Sequence, residues 1–376
     1  IESVGKFVLG IVLGTWAVNN GKSIEICAAY AIAGVAIGEA CGLIFLVCAK
    51  LLHRQDYSYT LAADDGKVSS TGKILKNLLL ISVPVMLSSV ALNLTSPIDT
   101  FTIINIIKRN SSLEAAEIAY GNYTTLAVTL FHLPSAFIYP ISTSLAPALS
   151  AARVSGNKAK ERSALNASMK MTVIISIPCA IGMAIMSKPI LSLLFSNEAS
   201  VNSAAPLLSI LSPAIFFSAI LTVTSAALQA CHKQRKPIIS MLCGIAAKAI
   251  VSCALMSIKS IGILGAPIGT LVSYFVMATV NFIFVLKYVS TEINILRLIV
   301  KPIGASAISS VVTILSYSII SRAGHATVAT VVSIVLTVIA YFVLLFALKN
   351  FEREDIMMLP KGEKIYNALV KLHLMK

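Results

Sequence analysis

Residues 26–49 read ICAAYAIAGVAIGEACGLIFLVCA, an apolar run whose single formal charge is Glu39. An α-helix needs about 20 apolar residues to cross the hydrocarbon core of a bilayer. The run is long enough, and it lacks the period-2 alternation of a strand. Lipid offers backbone groups no hydrogen-bond partners, so a spanning segment of this kind closes its own bonds as a helix. Gly34, Gly38 and Gly42 recur every fourth residue. That spacing puts a bare stripe on one face, where a second helix can approach closely.

The rest of the chain repeats this reading. Of its 376 residues 57% are hydrophobic and 12% are charged, and the mean hydropathy is +0.87. Soluble domains carry about 25% charged residues, so this composition cannot cover a water-exposed surface. Ten spans are expected, at about 3–18, 26–49, 77–107, 118–149, 164–186, 204–230, 237–257, 266–286, 302–320 and 327–348. The fold class is therefore all-α, a polytopic membrane protein. Positions 1–50 form one piece and 51–75 a polar linker with Asp64, Asp65 and Gly66. Six helices occupy 76–290, two more occupy 291–350, and 351–376 is a tail.

Charge orients the spans. Alternate loops and the tail hold 21 Lys and Arg on one side, including Lys50, Arg153, Lys233, Lys301 and Lys371, against 6 on the other. Basic residues accumulate in cytoplasmic loops, which places the tail and Ile1 in the cytoplasm of a cell membrane. The formal net charge of +14 has the same origin. No basic stretch carries interleaved aromatics or a known module, so nucleic acid is not an expected partner. No phosphate-binding GxxxxGK[ST] occurs, so no nucleotide is expected. The seven cysteines form no CxxC pair and read as small buried hydrophobes, giving neither a metal site nor a disulfide framework. The first residue is Ile1 and no charged leader precedes an apolar core. The chain is read as a fragment of a longer protein.

Ordered motifs then carry a resemblance. Tyr120-Gly121-Asn122-Tyr123 precedes Leu133-Pro134-Ser135-Ala136-Phe137 and Ser142-Thr143-Ser144-Leu145-Ala146-Pro147. Pro178-Cys179-Ala180-Ile181-Gly182, Lys188-Pro189-Ile190-Leu191, Ser225-Ala226-Ala227-Leu228-Gln229-Ala230 and Gly262-Ile263-Leu264-Gly265-Ala266-Pro267 follow in order. This set resembles the stage V sporulation protein B and polysaccharide-flippase family. That family lies within the multidrug/oligosaccharidyl-lipid/polysaccharide exporter superfamily. The resemblance implies a fourteen-helix, two-lobe transporter of which this chain holds ten helices. It implies a MATE-like fold and a role in polysaccharide, cell-wall or spore-envelope synthesis. Related lipid II flippases carry an arginine and an acid where this chain has Thr129 and His132.

Polar groups at bilayer depth mark candidate positions, because a charge there costs about 2.5–3.5 kcal/mol or more. Lys248 lies about eleven residues into its helix, roughly 16 Å at the helical rise. It reads either as a substrate-path cation or as a structural lysine bonded to a neighbouring helix. Glu39 and Lys6 are further charges within spans. Asp99 follows Pro97 and reads as a proton or coupling-cation site or as an interfacial helix-end acid. Asn93, Asn122, Thr129, His132 and Gln229 complete the candidate substrate path. Pro97, Pro134 and Pro140 are candidate hinges, since proline bends helices by removing a hydrogen bond.

The expected function is a monomeric flippase that moves a lipid-linked saccharide through the membrane by alternating access. It acts among membrane lipids, without a cofactor apart from a coupling cation or proton. A cation-coupled multidrug exporter of the same fold is the alternative. A membrane glycan polymerase or ligase ranks last, because the external loops are too short for a catalytic site; no enzyme activity is expected.

Overall fold

The computed structural model describes residues 2–52, 70–93, 95–110, 112–289, 295–322 and 326–348. The 51–75 linker falls largely outside these residues, and the 351–376 tail wholly so. The chain divides into two compact units, Ile1–Lys76 and Asn77–Lys376.

The first unit contains a hairpin of α1 (Glu2–Asn19) and α2 (Ile24–Leu52). Gly21 turns the chain between them at φ 64, a left-handed conformation open to glycine without steric cost. The glycine stripe does what its spacing predicts. A Cβ on Gly34 would fall 2.6 Å from the Leu9 carbonyl carbon, and one on Gly38 would fall 2.7 Å from the Gly5 carbonyl carbon. Both separations are far inside van der Waals contact, so α1 and α2 pack backbone to backbone only because those side chains are missing. Across the same face Lys6 Nζ pairs with Glu2 at 2.7 Å and with Glu39 at 3.0 Å.

Helix α3 (Thr71–Asn93) crosses the boundary between the units. The second unit continues with α4 (Thr95–Asn110), α5 (Leu113–Gly121), a π-helical segment (Asn122–Val128), α6 (Thr129–His132) and α7 (Ser135–Val154). Then come α8 (Lys158–Ile185), α9 (Ser187–Leu194), α10 (Glu198–Leu211), α11 (Ala214–Ala230), α12 (Arg235–Met256) and α13 (Gly265–Tyr288). Helices α14 (Ile295–Ser321) and α15 (Ala326–Ala347) end the described chain.

Each of the ten expected runs is helical, but several are broken. Among the described residues six helices are long and apolar enough to cross a membrane, or eight if each of two bent pairs is one span. Helix α1 and the α3/α4 pair are not among those eight. The bent pairs are 113–132 with 135–154, at 48°, and 198–211 with 214–230, at 52°. Pro134 and Pro213 stand immediately before the second helix of each pair, where a proline needs no donor and ends the preceding hydrogen-bond ladder. The bend at Pro213 has no counterpart among the expected hinges. Pro140 lies inside α7. Pro97 is the third residue of α4, in the first turn, where its missing N–H costs little.

Helix α11 sits centrally in this unit and packs on α7, α8 and α13. Its apolar core joins Leu145, Leu165, Met169, Leu228 and Met277. A polar node pins three helices: Asn281 on α13 accepts from Ser240 Oγ of α12 at 2.8 Å and donates to Ser225 and Thr224 of α11 at 2.8 and 3.2 Å. The α14/α15 pair belongs to the same unit. Thr313 and Thr337 hydroxyls bond at 2.5 Å, and Tyr341 Oη donates to the Ile174 carbonyl of α8 at 2.7 Å.

Candidate functional site

A cavity of about 640 Å³ opens within the second unit, walled by α4, the π-helical segment, α6, α7, α11, α12 and α13. Its lining is mixed, with hydroxyls and amides set among Val128, Phe131, Leu221, Ala226 and Met241. On α11 the polar lining residues Ser218, Thr222, Ser225 and Gln229 fall at steps of four, three and four. That is one face of a helix, turned into the cavity. On α13 Thr270, Ser273 and Tyr274 do the same.

The charged element of the wall is an ion pair. Lys248 Nζ donates to Asp99 Oδ2 at 2.7 Å and to the Thr95 carbonyl at 3.3 Å. The two side chains are 2% and 8% exposed. The first turn of α4 thus presents both a carboxylate and a backbone oxygen to one ammonium. Asp99 Oδ1 is buried and has no hydrogen-bond partner among the described residues. Lys248 thus bonds a neighbouring helix, and it does so at the cavity wall.

The π-helical segment shapes another part of the wall. Such segments place one extra residue in a turn and recur at functional sites. Here the widened turns direct Tyr123 inward, fully buried, with its hydroxyl 2.8 Å from Thr270 Oγ1. Nothing in the sequence signals a π-helix, and Tyr123, Thr270 and Tyr274 were not expected at the site. The serine and threonine stripe on α11 was readable from its spacing.

The other expected site residues divide. His132 and Gln229 line the cavity with Lys248 and Asp99; the His132 ring stacks edge-on against Phe131 at 4.9 Å. Asn122 is buried but is not among the lining residues. Thr129 is exposed, and its hydroxyl reaches the Thr124 carbonyl at 3.5 Å, so it too lies off the cavity. The Asn93 side chain lies outside the described residues. Lys6 and Glu39 pair with each other in the first unit.

A polytopic helical membrane protein that holds a polar cavity and a buried ion pair inside one lobe is built as a transporter. Residues 7–335 match the family model described as lipid II flippase MurJ, and the chain belongs to that family, a family of transporters rather than enzymes. The chain is 24% identical over 360 residues to YabM, an uncharacterized membrane protein of Bacillus subtilis (strain 168), covering 94% of this chain and 66% of that protein. It is 23% identical over 266 residues to the lipid II flippase MurJ of the same organism, covering 67% of this chain and 47% of that protein. The chain thus spans about two thirds and about half of these relatives. A solved structure of lipid II flippase MurJ in an inward closed conformation superposes with a TM-score of 0.62 at 15% identity, over 93% of this chain and 67% of that one. The match is to the MurJ flippase family, and the stage V sporulation branch is a narrower assignment than it carries. Several residues of the quoted motifs, Tyr123, Ser142, Ser225 and Gln229 among them, line the cavity.

Proposed function

We propose that this chain is the cavity-bearing part of a flippase that moves an anionic lipid-linked saccharide across the cell membrane by alternating access. The observation that carries the reading is the cavity itself, a polar chamber walled by seven helical elements in an otherwise apolar body. Water-soluble head groups need such a chamber to cross hydrocarbon. The hydroxyl and amide stripe of α11, with His132 in the same wall lining, supplies hydrogen bonds to sugar hydroxyls. The Lys248–Asp99 pair is neutral as a whole. The ammonium has three N–H donors and directs two of them to Asp99 and the Thr95 carbonyl, so an incoming phosphate competes with Asp99 for Lys248. The tail lies on the cytoplasmic side, as the loop charges imply. A cation-coupled drug exporter fits less well, because the cavity acid Asp99 already holds a resident ammonium.

Alkylation tests this. In the membrane-embedded protein, Ser218→Cys and Gln229→Cys should react with a water-soluble maleimide. A polyprenyl-diphosphate saccharide should protect both, whereas the free polyprenol should not. Protection by a lipophilic cation in place of the saccharide lipid would reverse the ranking of the two readings.

A further inference from the structure

A second charged feature lies away from the cavity, where α11 ends, α12 begins and α13 ends. Three lysines converge there on two aromatic rings. Lys233 Nζ stands 5.2 Å from the centre of the Tyr288 ring, Lys236 Nζ 5.5 Å and Lys287 Nζ 5.9 Å. Lys236 also lies 5.1 Å from the Phe284 ring. Three ammonium groups around one ring repel one another. The ion pairs recorded among the described residues join Lys6 to Glu2 and Glu39, Arg153 to Glu161 and Lys248 to Asp99; none of them neutralises this cluster. Ring faces attract cations and hold them in place, but they supply no formal negative charge.

The backbone contributes independently. His232 has φ 57, the one non-glycine residue with positive φ in the described chain. It ends α11 in a left-handed cap, with His232 N–H to the Gln229 carbonyl at 3.0 Å and Lys233 N–H to the Leu228 carbonyl at 2.9 Å. Glycine is the usual residue in that cap. A histidine held there fixes the direction in which the chain leaves α11, and so sets Lys233 over Tyr288.

Location then selects the ligand. Ile239 and Leu242 of α12 follow Lys236 by three and six residues, Ile283 and Leu286 of α13 precede Lys287 by four and one, and all four are exposed apolar residues. The cluster therefore stands where an apolar band meets the helix ends, at head-group level, with aromatic rings at the same height.

We propose that Lys233, Lys236 and Lys287, with Tyr288 and Phe284, form a binding site for the phosphate of an anionic phospholipid head group. The three ammoniums converge on the phosphate oxygens, and the neighbouring apolar band takes the acyl chains. The site is separate from the cavity and does not depend on what the cavity carries.

Binding is read by native mass spectrometry of the full protein released from detergent, with phosphatidylglycerol and phosphatidylcholine titrated in turn. The wild type should retain phosphatidylglycerol in preference. Each lysine near a membrane surface contributes about fivefold in affinity. The triple change Lys233→Gln, Lys236→Gln, Lys287→Gln should weaken phosphatidylglycerol at least about tenfold and leave phosphatidylcholine unchanged. Lys158→Gln with Lys160→Gln, elsewhere on the chain, should shift it less than about twofold. Tyr288→Leu should weaken binding and Tyr288→Phe should not, since the ring is what places the lysines. Equal loss from the Lys158/Lys160 pair would reduce the site to bulk charge and overturn the proposal. Full retention by the triple variant would do the same. Displacement of the lipid by inorganic diphosphate at matched phosphate concentration would show a free anion, not a lipid, as the ligand.

Discussion

Removing one member of the Lys248–Asp99 pair should harm the protein far more than removing both. The pair is nearly excluded from solvent, at 2% and 8% side-chain exposure, with the charges 2.7 Å apart. Lys248→Met leaves the Asp99 carboxylate with neither oxygen bonded, because Oδ1 already lacks a partner, and also strips the Thr95 carbonyl of its second donor. Breaking a buried pair from one side costs about 3–5 kcal/mol, whereas replacing both charges by neutral groups of similar volume is often close to neutral. Asp99→Asn strands the ammonium in the same way. The Lys248→Met/Asp99→Asn protein should therefore be more stable than either single variant, with a coupling energy on the order of several kcal/mol, since the two single costs together far exceed the cost of the double. Equilibrium unfolding in mixed micelles, followed by circular dichroism, gives the three differences from wild type. Single changes that cost less than about 1 kcal/mol each, or that sum to the double within about 0.5 kcal/mol, would show that the two groups do not act as a buried pair.

Other outcomes follow from local geometry. Gly38→Val should separate α1 from α2, lowering stability by about 2 kcal/mol or more through overpacking; Gly72→Ala, where nothing lies within 4 Å, should be neutral or slightly stabilising in the same unfolding assay. Asn281→Leu removes three interhelical hydrogen bonds that average about 0.6 kcal/mol each in membrane proteins, so a loss of about 1–3 kcal/mol is expected, and a gain in stability would show the node to be dispensable. Burial pushes the Cys231 thiol above its ordinary range, so a smaller thiolate fraction exists near pH 8. Its maleimide rate should accordingly climb at higher pH than that of an exposed cysteine in the unfolded chain; a midpoint at or below the ordinary thiol value would contradict the burial. Cysteines placed at Gly21 and Asn202 should label from outside intact cells and cysteines in the tail should not, with labelling of the tail reversing the proposed orientation.

What the sequence disclosed depended on whether a feature was periodic or positional. The apolar runs recur over twenty residues, and so the helices were legible, including the Gly34/Gly38 contact, which needs only a four-residue repeat and no knowledge of the partner. Lys248 and Asp99 were each legible as costly charges, but their partnership was not. Pairing across α4 and α12 depends on how two helices far apart in the chain are packed. The π-helix at Asn122–Val128 was invisible because no residue type demands it. Pro134 and Pro213 are chemically the same signal, yet Pro213 was passed over because the apolar run continues on both sides. Thr129 and Asn122 were expected on the substrate path and lie off the cavity. The 3–4 spacing of Ser218, Thr222, Ser225 and Gln229 specifies a face, yet of these four Gln229 alone was among the expected residues.

The central claim is that the polar cavity of the second unit carries a lipid-linked anionic saccharide. The direct measurement is transbilayer movement of a fluorescent polyprenyl-diphosphate saccharide in proteoliposomes holding the wild-type protein, scored by accessibility to a membrane-impermeant quencher. The account predicts protein-dependent flipping. That flipping should fall at least about tenfold when bulk is set into the α11 stripe by Ser218→Trp or Thr222→Trp, with folding verified by the unfolding assay. Undiminished flipping in correctly folded stripe variants would contradict the account, as would efflux of a cationic dye by protein that leaves the saccharide lipid where it began.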